Sequence, residues 1–128
     1  MRRSGILMHI TSLPGPGGIG SLGKEAYAFA DFLKASGMAV WQVLPLGPTG
    51  YGESPYQSSS VFAGNPMLIS CATLRQEGLV DYADGEEYAP ADPEKVDYAA
   101  VRESKEKLLR RCFARSEGKL QKELVAFR

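Results

Sequence analysis

The chain has 128 residues, of which 15 are basic and 15 acidic, and 44% of its residues are apolar. This length is enough for about one domain but too short for a complete (β/α)₈ barrel, which needs roughly 250 residues. A formal net charge of zero gives no general attraction to phosphate backbones or anionic lipid, so the composition argues against nucleic-acid and membrane-surface partners.

Neither the cysteines nor the amino terminus indicates a metal site, a disulfide framework or an export signal. Cys71 and Cys112 lie far apart in the sequence, and with His9 they lack the close ligand spacing of a zinc site. The apolar run after Arg2 and Arg3 is shorter than a signal-peptide core, and no run approaches the roughly 20 apolar residues of a membrane span. We therefore predict a cytoplasmic protein without cofactor, metal or membrane partner.

The first 64 residues are typical of strands and loops, because they hold 11 of the 14 glycines and only 7 charges. Residues 5–10 (GILMHI) form a short apolar run typical of a strand buried on both faces of a parallel sheet. The apolar spacing over 24–36 predicts a helix that ends at Gly37, and residues 39–44 (AVWQVL) predict a second strand. Strand, helix and strand in this order indicate one βαβ unit, with parallel strands and a right-handed crossover.

Helices are predicted in the more highly charged second half. Ser70 is placed to cap a short helix that runs through Glu77, with Gly78 as its stop. The acidic stretch 80–96 contains two prolines and is typical of an irregular surface connection. Asp97 then caps a longer helix, in which the aliphatic stem of a lysine joins the apolar side chains of one face: Val101, Lys105, Leu108, Leu109, Cys112 and Phe113.

Two segments match known motifs in part but lack residues that those motifs require. The GxGxxG pattern at 15–20 starts four residues after the predicted strand and includes Pro16, which removes a backbone donor, so it does not meet the requirements of a dinucleotide site. The segment 52–56 is similar to the turn that carries a nucleophilic serine, but Tyr56 stands where that turn needs glycine. The required base would be His9, which in its apolar run is expected to be a hydrogen-bonded core residue.

The segment 46–66 (LGPTGYGESPYQSSSVFAGNP) is the most informative part of the sequence. It sets Tyr51 and Tyr56 beside serines, glycines and a glutamine, and an aromatic face next to hydroxyl and amide groups suits a sugar. The composition suits equally well an alternative in which the tyrosines pin a long loop to the fold. The position of the segment in the chain favours the sugar-binding interpretation, because both Gly/Pro-rich segments follow the carboxyl ends of predicted parallel strands, where such sheets bind ligands. The basic excess over 102–128 is typical of a solvated helix face.

These residues resemble the amino-terminal part of the amylomaltase family, the 4-alpha-glucanotransferases or disproportionating enzymes of glycoside hydrolase family 77. The resemblance is dense from residue 4 to about residue 80. It rests on segments in a fixed order: ILMH at 6–9, TSLPG at 11–15, GIG at 18–20, WQVLPLGPTGYG at 41–52, SPYQS at 54–58 and FAGNP at 62–66.

The resemblance implies an α/β fold, a (β/α)₈ barrel with helical insertions, of which this chain would hold only the beginning. Residues 1–80 would form the first β/α units with their glucan-binding loops, and 81–128 an acidic connection and a helical segment. The sequence stops at Arg128 without a capping signal, so we expect the chain to be a truncated piece of a longer protein.

The activity implied by the resemblance is transfer of α-1,4-glucan segments to the 4-hydroxyl of another glucan or maltooligosaccharide. The family retains configuration by means of an Asp nucleophile, a Glu acid/base and a second, stabilising Asp, and retention requires two carboxyl groups about 5–5.5 Å apart. In the family these carboxylates follow later barrel strands, so no catalytic residue is expected in this chain. Glu53, the single acid of segment 46–66, is not assigned their role.

Three residues are expected to bind substrate because of the family positions they resemble. Tyr56 resembles the tyrosine that contacts the donor sugar beside the cleavage point, with Ser54 next to it, and Tyr51 resembles an aromatic residue of a secondary glucan-binding surface. Ser70 stands where an Asp is expected, and both residue types cap helices well. The alternative is a stand-alone glucan-binding or structural module without catalysis; the oligomeric state is not indicated by the sequence.

Overall fold

The computed structural model describes residues 2–81, 89–90, 92, 94–116 and 118–127, so most of the predicted connection 80–96 lies outside the described residues. The strands and α-helices, in chain order, are β1 (Gly5–Leu7), α1 (Lys24–Ala35), β2 (Val40–Gln42), α2 (Cys71–Gln76), α3 (Tyr98–Ser116) and α4 (Gln121–Phe127). Short 3₁₀ turns occupy Ile10–Ser12, Tyr51–Glu53, Pro55–Gln57 and Pro66–Leu68. None of the helices within these ranges is long and apolar enough to cross a membrane.

The two strands pair in parallel, with Gly5 opposite Val40 and Leu7 opposite Gln42, and α1 connects them. The predicted strand, helix and strand are therefore confirmed. The strands are shorter than predicted, and the extension of the first strand to Ile10 is wrong. Ile10 begins a 3₁₀ turn in which the N–H of Ser12 donates to the carbonyl of His9 at 3.0 Å, so its backbone leaves the sheet.

The sheet is covered on one side by α1. The indole of Trp41 meets the ring of Phe29 edge to face, with centroids 4.9 Å apart, and its Nε1 donates to the carbonyl of Met8 at 2.8 Å. The expectation of a strand buried on both faces is wrong for this chain, because Leu7 is 59% exposed and Val40 43%. A two-stranded sheet buries the residues that alternate toward its helix and leaves those between them in solvent.

The predicted helix ends are confirmed, since each depends on local chemistry. Gly37, one residue past the C-cap of α1, has a φ of 71°, which glycine adopts at little cost. Ser70 caps α2, with its Oγ accepting from the N–H of Thr73 at 3.3 Å. Asp97 caps α3 in the same way, with its Oδ1 accepting from the N–H of Ala100 at 3.1 Å.

The core joins α3 to residues that lie before position 81 in the sequence. One apolar cluster contains Cys71, Leu79, Val80, Leu108 and Cys112, and a second contains Ile19, Met67 and Val101. Each cluster combines residues of α3 with residues that precede 81 in the sequence. The helix therefore holds the loops that follow β1 and β2 against the same core.

Four of the six predicted positions on the apolar face of α3 are buried, Leu109 is half-buried, and two positions, one of them a buried lysine, depart from the prediction. Phe113 is 60% exposed, and Lys105 is buried together with its ammonium group rather than through its stem alone. The Nζ of Lys105 donates to the carbonyl of Met67 at 2.6 Å, which offsets part of the cost of desolvating the charge.

The exposed apolar side chains predict association of the 128-residue chain when it is expressed alone. Leu7 and Val40 lie on the face of the sheet that α1 does not cover, and Phe62 is 97% exposed. Apolar strand edges and patches of this kind promote aggregation, so we expect oligomers in sedimentation experiments and binding of ANS dye. A monodisperse monomer, with one cooperative unfolding transition that coincides by circular dichroism and Trp41 fluorescence, would contradict this expectation.

Candidate functional site

Two loops meet at one edge of the sheet. Because β1 and β2 are parallel, the segments that follow their carboxyl ends emerge on the same side. The N–H of Leu22, at the end of the first loop, donates to the carbonyl of Leu68, just past the second, at 2.8 Å. Gly23 packs so closely on Ser70 that an added Cβ would lie 2.5 Å from its Oγ. The edge is therefore built from both loops together.

In the first loop, which follows β1, a glycine allows the two ends of the loop to approach each other closely. The N–H of Gly20 donates to the carbonyl of Thr11 at 3.1 Å, which brings the two ends of the loop together. A Cβ at Gly20 would lie 2.0 Å from the carbonyl oxygen of Ile10, so only glycine fits there. This close approach gives Gly20, the last glycine of the GxGxxG match, a packing role in the loop.

The second loop, residues 46–66, is here called the tyrosine loop. Its base is closed by a hydrogen bond from the N–H of Asn65 to the carbonyl of Leu46 at 3.0 Å. Asn65 is buried, and its Oδ1 also accepts from the N–H of Met67 at 2.9 Å. Halfway along, Gly50 packs on Gln57, where a Cβ would lie 2.0 Å from the carbonyl oxygen of Gln57. These contacts give a long loop a defined shape.

The three candidate substrate-binding residues lie together at the tip of the tyrosine loop. The N–H of Ser54 donates to the carbonyl of Tyr51 at 3.3 Å, and the carbonyl of Ser54 accepts from Gly50 at 3.0 Å. Tyr51 is 92% exposed and Tyr56 72% exposed, whereas Ser54 is half-buried. Such exposure argues against the alternative in which the tyrosine side chains pin the loop to the fold, and it leaves both rings free to cover a ligand.

Two further apolar side chains of this loop, which were not expected from the sequence to have a role, are also exposed. Val61 is 85% exposed and Phe62 97% exposed, within a stretch of serines and glycines. A large apolar residue amid small polar ones is the signal that could have identified them, since an exposed apolar group in an ordered loop marks a binding or packing surface. They add two exposed apolar side chains to the loop that carries the two tyrosines.

Glu53 holds the tip of the loop through a charged network. Its Oε2 accepts hydrogen bonds from the hydroxyl of Thr49 at 2.6 Å and from the guanidinium of Arg102 on α3 at 2.6 Å. The Thr49 hydroxyl, and after it the Arg102 guanidinium, lower the pKa of Glu53 below its ordinary value. The carboxylate is therefore charged and engaged near neutral pH, which is unlike a free catalytic nucleophile.

Glu53 also has an unusual backbone. Among the residues that the structure describes, it is the one non-glycine residue in the left-handed region, with a φ of 58°, directly after Gly52 with a φ of 64°. For an L-residue this conformation costs about 1–2 kcal/mol. The side-chain contacts to Thr49 and Arg102 are positioned to offset that cost.

His9 differs from the expected hydrogen-bonded core histidine. Its side chain is only partly buried, and its Nδ1 is buried without a hydrogen-bond partner within the described part of the chain. Burial lowers the pKa of His9. Cys71 and Cys112 are both buried, and they do not form a disulfide. Over the described ranges, no group of three or more His, Cys, Asp or Glu side chains is placed to hold a metal ion.

The lowered pKa of Glu53 predicts a pH-dependent contribution of this residue to stability. A depressed carboxyl pKa stabilises the fold above the ordinary value of 4.5, and the contribution is lost as the pH falls through the lowered pKa. We therefore expect Glu53→Gln to lower the thermal midpoint slightly, by no more than about 2 °C, at neutral pH and to have no effect at pH values below the lowered pKa. Differential scanning calorimetry of the unaltered protein and the variant over a range of pH measures the difference between their thermal midpoints. A difference that stays constant with pH would contradict the prediction.

Comparison with known proteins identifies clear relatives. A sequence model of the 4-alpha-glucanotransferase family matches residues 8–128. The chain is 51% identical over 113 residues to the 4-alpha-glucanotransferase of Thermus thermophilus, in an alignment that covers 88% of this chain and 22% of that protein. It is 45% identical over 121 residues to the 4-alpha-glucanotransferase of Clostridium butyricum, covering 94% of this chain and 25% of the relative.

A solved structure agrees with these sequence matches. Amylomaltase from Streptococcus agalactiae in complex with acarbose superposes on this chain with a TM-score of 0.92 at 45% sequence identity. The superposition covers 99% of this chain and 26% of that structure. The chain thus spans about a quarter of the length of the proteins it matches.

Proposed function

Because this chain belongs to the 4-alpha-glucanotransferase family, we propose that it is the amino-terminal part of an enzyme that transfers α-1,4-glucan segments between the 4-hydroxyls of glucans. The observation that carries the proposal is the tyrosine loop. It presents two exposed aromatic rings and a serine at the carboxyl edge of parallel strands, within a chain that superposes closely on an amylomaltase. Aromatic rings beside hydroxyl groups suit the alternating C–H and O–H surface of a glucan.

The fold proposed for the whole protein is a (β/α)₈ barrel with helical insertions. In this arrangement β1 and β2 are barrel strands, residues 1–80 are the first β/α units and 81–128 the acidic connection and helical segment. The two-stranded sheet supports the proposal, because each of its described strands pairs on one side only and a barrel supplies each strand with a neighbour on both sides. The ligand side of such a barrel is the carboxyl end of its strands, where the tyrosine loop lies.

The proposed mechanism is double displacement with retention, and it needs two carboxyl groups about 5–5.5 Å apart at the scissile bond. We place both outside this chain. Glu53 does not suit the role of nucleophile, because its carboxylate oxygen already accepts hydrogen bonds from Thr49 and Arg102. What this chain contributes is the binding and orientation of the donor glucan, which raises the rate by placing the scissile bond against the carboxylates.

Within this mechanism each candidate residue has a separate task. Tyr56 packs against the donor sugar beside the cleavage point, and the neighbouring Ser54 hydroxyl hydrogen-bonds the same sugar. Tyr51, the more exposed of the two rings, covers a remote part of a long chain. A contact beside the reacting bond can strengthen in the transition state, whereas a remote contact contributes equally to substrate and transition state.

The proposed activity is tested by incubating the complete protein that contains this chain with maltotriose and separating the products by chromatography. Transfer of maltosyl units produces glucose together with maltopentaose, whereas simple hydrolysis produces glucose and maltose. We expect the first pattern. Appearance of maltose and glucose alone, or of no product at all, would contradict the proposal.

The alternative of a stand-alone glucan-binding or structural module makes a different prediction. In that case the 128-residue chain binds maltooligosaccharides, and the complete protein leaves them intact. Isothermal calorimetry of maltooligosaccharide binding, combined with the product analysis above, separates the two functions. Binding with transfer by the complete protein supports the enzyme, and binding without any transfer supports the module.

A further inference from the structure

We propose that Arg102 of α3 is a positioning residue for the transfer reaction, which holds the tip of the tyrosine loop in the conformation that presents Ser54 and Tyr56 to the glucan. The inference deepens the proposed function and rests on it. It assigns a task in substrate binding to a helix that lies outside the segments of strongest family resemblance.

The contact joins parts of the chain that are distant in sequence. Nη2 of Arg102 lies 2.6 Å from Oε2 of Glu53 and 3.4 Å from Oγ1 of Thr49, which are 49 and 53 positions away. Glu53 immediately precedes Ser54, and Thr49 precedes Tyr51 by two residues. The guanidinium therefore hydrogen-bonds both Thr49 and Glu53, which flank the turn at Tyr51.

The backbone of this turn has an unfavourable conformation that side-chain contacts can stabilise. Glu53 is held at a φ of 58°, a conformation that side chains other than glycine rarely adopt. Strained residues of this kind persist where the surroundings fix them, and they cluster at ligand-binding sites. Without the guanidinium, we expect Glu53 to relax toward negative φ and to displace Ser54, because the two residues share a peptide unit.

The helix is itself anchored to the base of the same loop. Lys105, one turn beyond Arg102, donates to the carbonyl of Met67 at 2.6 Å, and Val101 packs with Met67 in the core. Residues three positions apart lie on the same side of a helix. Helix α3 thus contacts the tip of the tyrosine loop through Arg102 and the residue directly after its base, Met67, through Lys105.

The solvent exposure of the Arg102–Glu53 ion pair indicates that it positions the loop and contributes little to the stability of the whole protein. The side chains of Arg102 and Glu53 are 45% and 30% exposed. Exposed ion pairs contribute little to the free energy of unfolding, because water screens them. Loss of this pair should therefore change the loop and leave the stability of the whole protein nearly unchanged.

The test uses Arg102→Ala in the complete protein. We expect kcat/KM on maltotriose to fall by about tenfold or more, since a small displacement of binding groups has a large effect on the rate. The thermal midpoint should change by no more than about 2 °C. Arg102→Lys keeps the charge and should recover part of the activity, and the fall should appear mainly in kcat rather than in KM.

A matched control lies on the same helix. Arg110 pairs with Glu106 four residues earlier at 2.6 Å, and this pair involves no residue of the tyrosine loop. Arg110→Ala should leave kcat/KM unchanged. In a double-mutant cycle, Arg102→Ala combined with Glu53→Gln should lose little more activity than either single variant, because both remove the same contact.

The outcomes distinguish this inference from the proposed function. If the unaltered complete protein performs transfer and Arg102→Ala matches it, the positioning role is wrong and the proposed function stands. Equal losses for Arg102→Ala and Arg110→Ala, or strictly additive losses in the cycle, would also overturn it. If the unaltered protein performs no transfer, the proposed function itself fails.

Discussion

The 128-residue chain, purified alone and incubated with maltotriose, is expected to release no glucose above background. A retaining mechanism needs a nucleophile and an acid/base carboxyl in contact with the scissile bond, and we place both outside this chain. The carboxylate of Glu53, the single acid of the tyrosine loop, already accepts hydrogen bonds from Thr49 and Arg102. Loss of the catalytic groups removes many orders of magnitude in rate, so the expected effect is complete within the range of the assay.

The complete protein serves as the positive control for this experiment, at the same molar concentration and with the same batch of substrate. A sample of the chain carrying Tyr56→Ala shows whether any residual glucose comes from a contaminating enzyme. Activity that persists through repurification, follows the chain in every fraction and falls with Tyr56→Ala would contradict the placement of the carboxylates.

The second large effect is expected from Tyr56→Ala in the complete protein, with maltotriose as donor. If the ring packs on the sugar beside the cleavage point, its removal lowers kcat/KM by about 100-fold, the loss typical of misplaced reacting groups. Tyr51→Ala should change the same constant by less than about threefold, because a short donor does not reach a remote surface. Initial rates of glucose release measure both effects.

Two further measurements sharpen this comparison. Tyr56→Phe keeps the ring and removes the hydroxyl, so it should retain most of the activity if stacking is the main contribution. With long amylose as donor, Tyr51→Ala should raise KM while kcat stays constant, as expected for a contact that is equally strong in substrate and transition state. Equal losses for Tyr51→Ala and Tyr56→Ala on maltotriose would show that the two roles are assigned wrongly.

The features that the sequence predicts well are those that depend on neighbouring residues. Ser70 and Asp97 cap helices because a side-chain oxygen reaches an N–H three residues further on, and the spacing is visible in the sequence. The βαβ unit follows from apolar runs of the right length and order. The location of the tyrosine loop at the carboxyl edge of the strands follows from the parallel pairing.

The features that the sequence does not reveal depend on distant contacts. Arg102 and Glu53 are 49 positions apart, and nothing in either segment indicates the partner. The left-handed backbone of Glu53 occurs at a residue type that seldom adopts it, so propensity argues against it. The burial of the Lys105 ammonium depends on the carbonyl of Met67, 38 positions away, whereas a lysine on an apolar face is expected to extend its charge into water.

The most direct test of this account is a crystal structure of the complete protein soaked with acarbose, the compound present in the Streptococcus agalactiae amylomaltase structure. We predict that acarbose lies against the ring of Tyr56, with the Ser54 hydroxyl within hydrogen-bond distance and the Arg102–Glu53 pair intact. Acarbose bound in a site that leaves the tip of the tyrosine loop in solvent would contradict the assignment of this loop as the donor-binding element.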